Sequence, residues 1–217
     1  MSLHIQTIVT GPFQENCYLL WREGSPEALF IDPGDDSREL INWVEKLDLR
    51  PVGIINTHAH IDHIGAVQPI REYFSIPFYL HREEAMILST YVDSRRLFGL
   101  APGTPPEVDC WFGDQEKLEI ENFTIRLLYT PGHTPGGTCF IVDEHVFVGD
   151  TLFRGSVGRT DLPGGDWQTL EESLRKMISV IPRNYTIHSG HGPDTSMESE
   201  IHHNPFLQTI QRRLNLT

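Results

Sequence analysis

The chain has 217 residues, 39% hydrophobic and 22% charged, with a formal net charge of −13 at pH 7. That length sustains a substantial core, and one domain over residues 1–217 is expected. The acidity argues against a nucleic-acid surface, which needs clustered Lys and Arg, and no run approaches the ~20 apolar residues of a membrane span. Met1 to Gln6 offers neither the charged nor the apolar region of a secretory signal, so a cytoplasmic location is expected. Cys17, Cys110 and Cys139 form no Cys-x-x-Cys pair and no disulfide framework. Cys17 and Cys139 lie in strand-like runs and read as small buried hydrophobes. Composition does not set the oligomeric state.

Strands are expected at His4 to Thr10, Asn16 to Trp21 and Ala28 to Ile31, rich in β-branched and aromatic residues. The run from Asp32 to Ser37 stops the third strand and offers helix N-caps. Leu40, Ile41, Val44 and Leu47 then follow helical spacing. Val52 to Asn56 reads as a buried strand, followed by a helix that begins near His63 or Gly65 and runs through Phe74. Ile76 to Leu80 is the next strand. His81 to Leu100 reads as helical, with Ala85, Met86, Leu88, Leu97 and Phe98 as core. Ala101 to Pro106 is an irregular loop. Four strands follow: Lys117 to Ile120, Phe123 to Tyr129, Thr138 to Val142 and His145 to Val148. Asp166 to Ile181 is a helix with Leu170, Leu174, Met177, Ile178 and Ile181 inward. Tyr185 to Ile187 is a last strand, and a helical C-terminus runs from Ser196, interrupted near Pro205. Strands, helices, strands, helices in two similar halves fit a layered sandwich.

Residues 57 to 65 read Thr-His-Ala-His-Ile-Asp-His-Ile-Gly. His58, His60, Asp62 and His63 are four metal-capable side chains within six positions. A helix would splay His58 and His60 by roughly 200°, and a strand would turn His63 away from the others, so convergence requires a tight loop. That loop follows the buried strand at Val52, where open α/β sheets place ligands. Three more candidates stand at strand ends. His133 follows Tyr129 in a Pro/Gly-rich loop. Asp150 follows Val148. His191 follows Ile187 between two glycines that permit close approach. These side chains exceed the needs of one tetrahedral zinc and suit two metals sharing a carboxylate. Imidazole and carboxylate ligands fit Zn, Fe or Mn. Two metals ~3.5–4 Å apart can hold a bridging hydroxide and polarise a carbonyl. The other histidines, His4, His81, His145, His188, His202 and His203, read as surface or structural.

The run His58-Ala59-His60-Ile61-Asp62-His63 resembles the His-x-His-x-Asp-His motif of the metallo-β-lactamase superfamily. His133, Asp150 and His191 match that family's later ligands, and Asp32 matches its short Asp motif after an early strand. The resemblance implies an α/β fold, a four-layer αββα sandwich. It implies one metal held by His58, His60 and His133 and a second held by Asp62, His63 and His191, with Asp150 bridging. Two divalent ions are expected, zinc foremost, with iron or manganese as alternatives. Asp32 would orient a ligand by hydrogen bonding; its plainer role is turn former and helix cap.

Thr130 to Gly137 and Gly149 to Phe153 are similar to the glyoxalase II (hydroxyacylglutathione hydrolase) group, closest to short bacterial members without the extra C-terminal helical domain. This implies hydrolysis of a small thioester such as S-D-lactoylglutathione, without a covalent intermediate. Asp62 would also orient the attacking water. Arg159 and Arg154 are the candidate contacts for a substrate carboxylate; the plainer role of Arg159 is to pin its loop through Asp161. The same loop also resembles persulfide dioxygenases, which use one iron on the equivalents of His58, His133 and Asp150. A lactonase of the superfamily and a non-catalytic metal-binding scaffold are the other readings. Gly-x-Ser-x-Gly is absent, which removes the simplest serine-hydrolase rival.

Overall fold

The computed structural model describes residues 2–214; Met1 and residues 215–217, the ends of the expected domain, lie outside it. The first sheet carries β1 (Leu3–Thr10), β2 (Glu15–Arg22), β3 (Glu27–Ile31), β4 (Arg50–Ile55), β5 (Phe78–His81) and β6 (Cys110–Phe112), paired in that order. β1 to β3 are antiparallel, and β3 to β6 are parallel. Parallel neighbours need crossovers. These are supplied by α1 (Ser37–Lys46), α2 (Ile61–Ile64), α3 (Val67–Phe74), α4 (Ala85–Ser89) and α5 (Tyr91–Leu97).

The second sheet carries β7 (Lys117–Ile120), β8 (Phe123–Tyr129), β9 (Thr138–Val142) and β10 (His145–Gly149) as an antiparallel meander. A small hairpin, β11 (Leu152–Phe153) and β12 (Ser156–Val157), follows β10. After α6 (Trp167–Val180), β13 (Thr186–Ser189) returns parallel to β10, and β14 (Thr195–Ser196) closes the edge antiparallel to β13. α7 (Met197–His203) and α8 (Pro205–Leu214) end the described chain.

Period-2 alternation assigns each strand residue to a layer. In β2, Tyr18 and Leu20 face the second sheet, while Cys17 and Leu19 face the outer helices. In β9, Phe140 and Val142 face the first sheet, and Cys139 and Ile141 face the α6 side. Phe30, Leu40, Val44, Val67 and Ile70 form the first outer core. Leu170, Leu174, Met177, Ile187, Leu207 and Ile210 form the last. Three apolar layers between four structural layers make the αββα sandwich. Strands buried on both faces explain their near-continuous apolar sequence. No helix among the described residues is long and apolar enough to cross a membrane.

The stretch His81 to Leu100 departs from expectation. It is a 3-10 turn (Arg82–Glu84) and two short helices that meet at Thr90, not one helix. Ala85, Met86, Leu97 and Phe98, expected in the core, are exposed, and Leu88 is partly buried. Ile87 and Tyr91 take the core positions instead. The break at Thr90 resets the helical phase, so Leu97 and Phe98 face a cavity rather than the sheet. The helix after the His cluster also begins earlier than expected, at Ile61, and puts Asp62 and His63 on its first turn. The strands β6, β11 and β12 had no clear pattern of their own in the sequence.

Candidate metal centre

The expected ligands collect at one edge of the sandwich. His58 and His60 follow β4, and His133 follows β8. Asp150 follows β10, and His191 follows β13. The sheets are tied together there: Thr138 N donates to Thr57 O at 3.0 Å, and Glu15 bridges to His191. His58, His60 and His133 offer ligand atoms within 4.8 Å of one another, and Asp62, His63 and His191 do the same. Asp150 stands between the two groups. Its Oδ1 lies 3.3 Å from His63 Nε2, and its Oδ2 lies 3.6 Å from His133 Nε2 and 3.7 Å from His191 Nε2. Asp62 Oδ2 is 3.2 Å from His191 Nε2.

Hydrogen bonds on the far side of three rings select which nitrogen faces the cluster. His58 Nδ1 lies 3.0 Å from Thr57 Oγ1, His63 Nδ1 lies 3.0 Å from Asp32 Oδ2, and His133 Nδ1 lies 2.8 Å from the Arg159 carbonyl. With those nitrogens donating, each Nε2 is left as a lone pair pointing inward. His60 turns Nδ1 inward, 2.9 Å from His133 Nε2. The Nε2 atoms of His58 and His63 and Oδ1 of Asp150 are buried without a hydrogen-bond partner. Buried polar atoms are normally paired. Orphaned acceptors converging on two points fit metal ions.

The electrostatics agree. Burial pushes His58 well below the usual imidazole value, and neighbouring imidazoles add to the effect. Burial and His133 bring His60 down to about 3, and burial lowers His133. These rings are therefore neutral at pH 7, the form that binds metal. Burial opposes charge on His63, but Asp150 and Asp32 outweigh it and raise this ring well above its usual value. Burial would raise Asp150, yet His63 and the other imidazoles hold it well below the carboxylate range. The carboxylates thus draw positive charge to the His63 side, and a divalent cation supplies it in place of a proton.

Asp32 stands behind the His63 ring, on the side away from the cluster. It is 2% exposed and accepts from Thr57 N at 2.7 Å, from Thr57 Oγ1 at 2.6 Å and from His63. Its φ of 49° is left-handed, a conformation Asp tolerates better than most residues. It is not the cap of α1; Asp36 takes that position. Arg159 lines the cavity above the cluster but is held by Asp161 through two contacts of 2.7 Å. Arg154 is exposed in the turn between β11 and β12, away from the residues lining the cavity. Of the remaining histidines, His81 stacks on Tyr129 at 4.7 Å and His188 on Phe147 at 4.8 Å, both in packing roles.

Sequence reasoning missed Glu84 and Glu15. Glu84 is fully buried; its carboxylate accepts from Ala59 N at 2.8 Å and Gly136 N at 2.6 Å. It thereby clips together the loops that carry His58 and His60 on one side and His133 on the other. Burial raises its pKa to about 6. Glu15 is equally buried, accepts from Thr10 Oγ1 at 2.8 Å, and keeps Oε1 3.8 Å from His63 Nδ1. Neither carried a sequence signal: Glu15 precedes the strand expected from Asn16, and the partners of Glu84 are backbone N–H groups.

Two close backbone approaches explain glycines at the site. A Cβ on Gly34 would collide with the Asp62 carbonyl, and one on Gly190 would collide with Asp150 Oδ1 and His63 Cε1.

The profile of the metallo-beta-lactamase superfamily matches residues 10–182. The chain is 35% identical to the hydroxyacylglutathione hydrolase GloC of Haemophilus influenzae over 211 residues, which covers 95% of this chain and 99% of that protein. Among solved structures, BLEG-1 B3 metallo-beta-lactamase superposes with a TM-score of 0.88 at 41% identity, covering 94% of this chain and 99% of that one. TTHA1623, in a di-iron-bound form, gives 0.84 at 38% identity, covering 93% and 100%. The chain belongs to the metallo-beta-lactamase superfamily, and its site is that of a metal-dependent hydrolase.

Proposed function

We propose that this hydrolase holds two divalent metals and cleaves a small-molecule thioester of the kind represented by S-D-lactoylglutathione. The carrying observation is that His191, with Asp62 and His63, forms a second ligand group beside that of His58, His60 and His133, with Asp150 between them. A mononuclear site has no use for the second group, which weighs against a persulfide dioxygenase. The di-iron form of TTHA1623 and the activity in GloC's name support the reading. Zinc is the metal we favour, with iron or manganese able to use the same nitrogens and oxygens. Metals held there would supply a water of lowered pKa and a Lewis acid for the carbonyl oxygen.

The chain's own groups position the reaction. Burial opposes the charge on Asp62, but the His191 contact and His63 hold it below the usual carboxylate range, so it accepts rather than donates a hydrogen bond and can orient the attacking water. Asp32, Thr57 and the Arg159 carbonyl fix the rings that face the reacting atoms. The thiolate leaves without help, because a thiol pKa of ~8.5 makes it weakly basic. All three cysteines are free, which suits a reducing, cytoplasmic setting.

The likeness to BLEG-1 favours a second reading, opening of a β-lactam amide by the same site. The test is turnover of S-D-lactoylglutathione and of a β-lactam by the metal-loaded protein, beside O₂ uptake with glutathione persulfide. Thioester cleavage supports the proposal. β-Lactam cleavage alone, or persulfide-dependent O₂ uptake alone, replaces it.

A further inference from the structure

The ligand cluster forms the floor of a cavity of about 370 Å³. Its walls are apolar: Phe13, Ile61, Ile87, Leu97, Phe98 and Leu162. Leu97 is 81% exposed and Phe98 50%, on the segment where the core was expected. Phe13 meets Phe98 edge to face at 5.5 Å, joining the β1–β2 turn to the end of α5. Apolar side chains of this size left in solvent beside a reactive centre mark a surface that something apolar covers.

Charge narrows the choice. Arg159 is the one arginine or lysine among the lining residues, and Asp161 engages its guanidinium with two 2.7 Å contacts. A glutathione thioester carries two carboxylates, and the lining offers neither a free partner.

We infer that the preferred substrate carries an uncharged apolar acyl chain, which lies against Phe13, Leu97 and Phe98 while its thioester carbonyl meets the metal centre. This rests on the thioester reading for the bond cleaved and on the cavity alone for the chain. A cavity of that volume holds about a dozen groups the size of a water molecule, enough for the thioester and a chain of about eight carbons.

The test pairs binding with turnover on the metal-loaded protein. Straight-chain alkyl thioethers of N-acetylcysteamine, which have no scissile carbonyl, are titrated by calorimetry from two to ten carbons. The matching acyl thioesters and S-D-lactoylglutathione are assayed for kcat/KM. Burial of each methylene is expected to tighten binding and raise kcat/KM about two- to fourfold up to about eight carbons. The double variant Leu97→Ala/Phe98→Ala, which removes exposed side chains and so leaves the core intact, is expected to flatten both series. A binding series already flat in the wild-type protein overturns the inference, as does S-D-lactoylglutathione turned over tenfold faster than the octanoyl thioester. Chain-length-dependent binding without turnover of any thioester removes the thioester reading and leaves the apolar-chain assignment standing.

Discussion

Asp32 Oδ2 stands 3.0 Å from His63 Nδ1, with both side chains shut away from solvent. The same carboxylate fixes Thr57, whose hydroxyl in turn faces His58 Nδ1. One residue outside the ligand set therefore orients a ring in each half of the site. Asp32→Asn keeps the shape but removes the charge and turns an N–H toward a donor. Loss of such a partner costs metal affinity about 10- to 100-fold. Chelator competition should register that loss; affinity equal to wild type would deny Asp32 its orienting role.

Glu84 predicts a pH dependence. Its folded-state value of about 6 lies above the ordinary carboxylate value, so the folded protein binds this proton more tightly than the unfolded chain. Stability from this group is fully present below about pH 4.5 and is lost as pH rises through 6, by about 2 kcal/mol. Denaturant titrations of metal-free protein between pH 4.5 and 7 should show this decline relative to Glu84→Gln, which cannot titrate. Parallel profiles would contradict the assignment.

Gly190→Ala asks the site to hold a methyl group where Asp150 and His63 already stand. Gly190 does not occupy the left-handed region, so the cost is steric alone. Overpacking of this kind costs about 1–3 kcal/mol. The movement that relieves it must displace a ligand, so metal content should fall with melting temperature. Full metal content in a destabilised variant would separate the two effects and weaken this account of the glycine.

The candidate ligands were legible in sequence because each stands just beyond a strand, in a loop or, for Asp62 and His63, on the first turn of α2, in a stretch whose composition no core requires. Glycine and proline mark those loops, and alternating apolar residues mark the strands that lead into them. Glu84 was not legible. Its partners are backbone N–H groups 25 and 52 residues away, and a backbone donor has no sequence signature. The face of residues 85–98 was misread for a related reason. Periodicity reports an apolar face but not what covers it, and here Leu97 and Phe98 turn to a cavity. The β6 strand, three residues paired in parallel with β5, is too short to carry a pattern of its own.

The central claim is that two metals share this edge of the sandwich, and His191 is the residue on which the second depends. Metal equivalents per chain, measured on wild-type protein and His191→Ala after loading and desalting, test it most directly. The account predicts two equivalents falling to one, with thioester hydrolysis lost in parallel. One equivalent in the wild-type protein, or two retained in the variant, would contradict it.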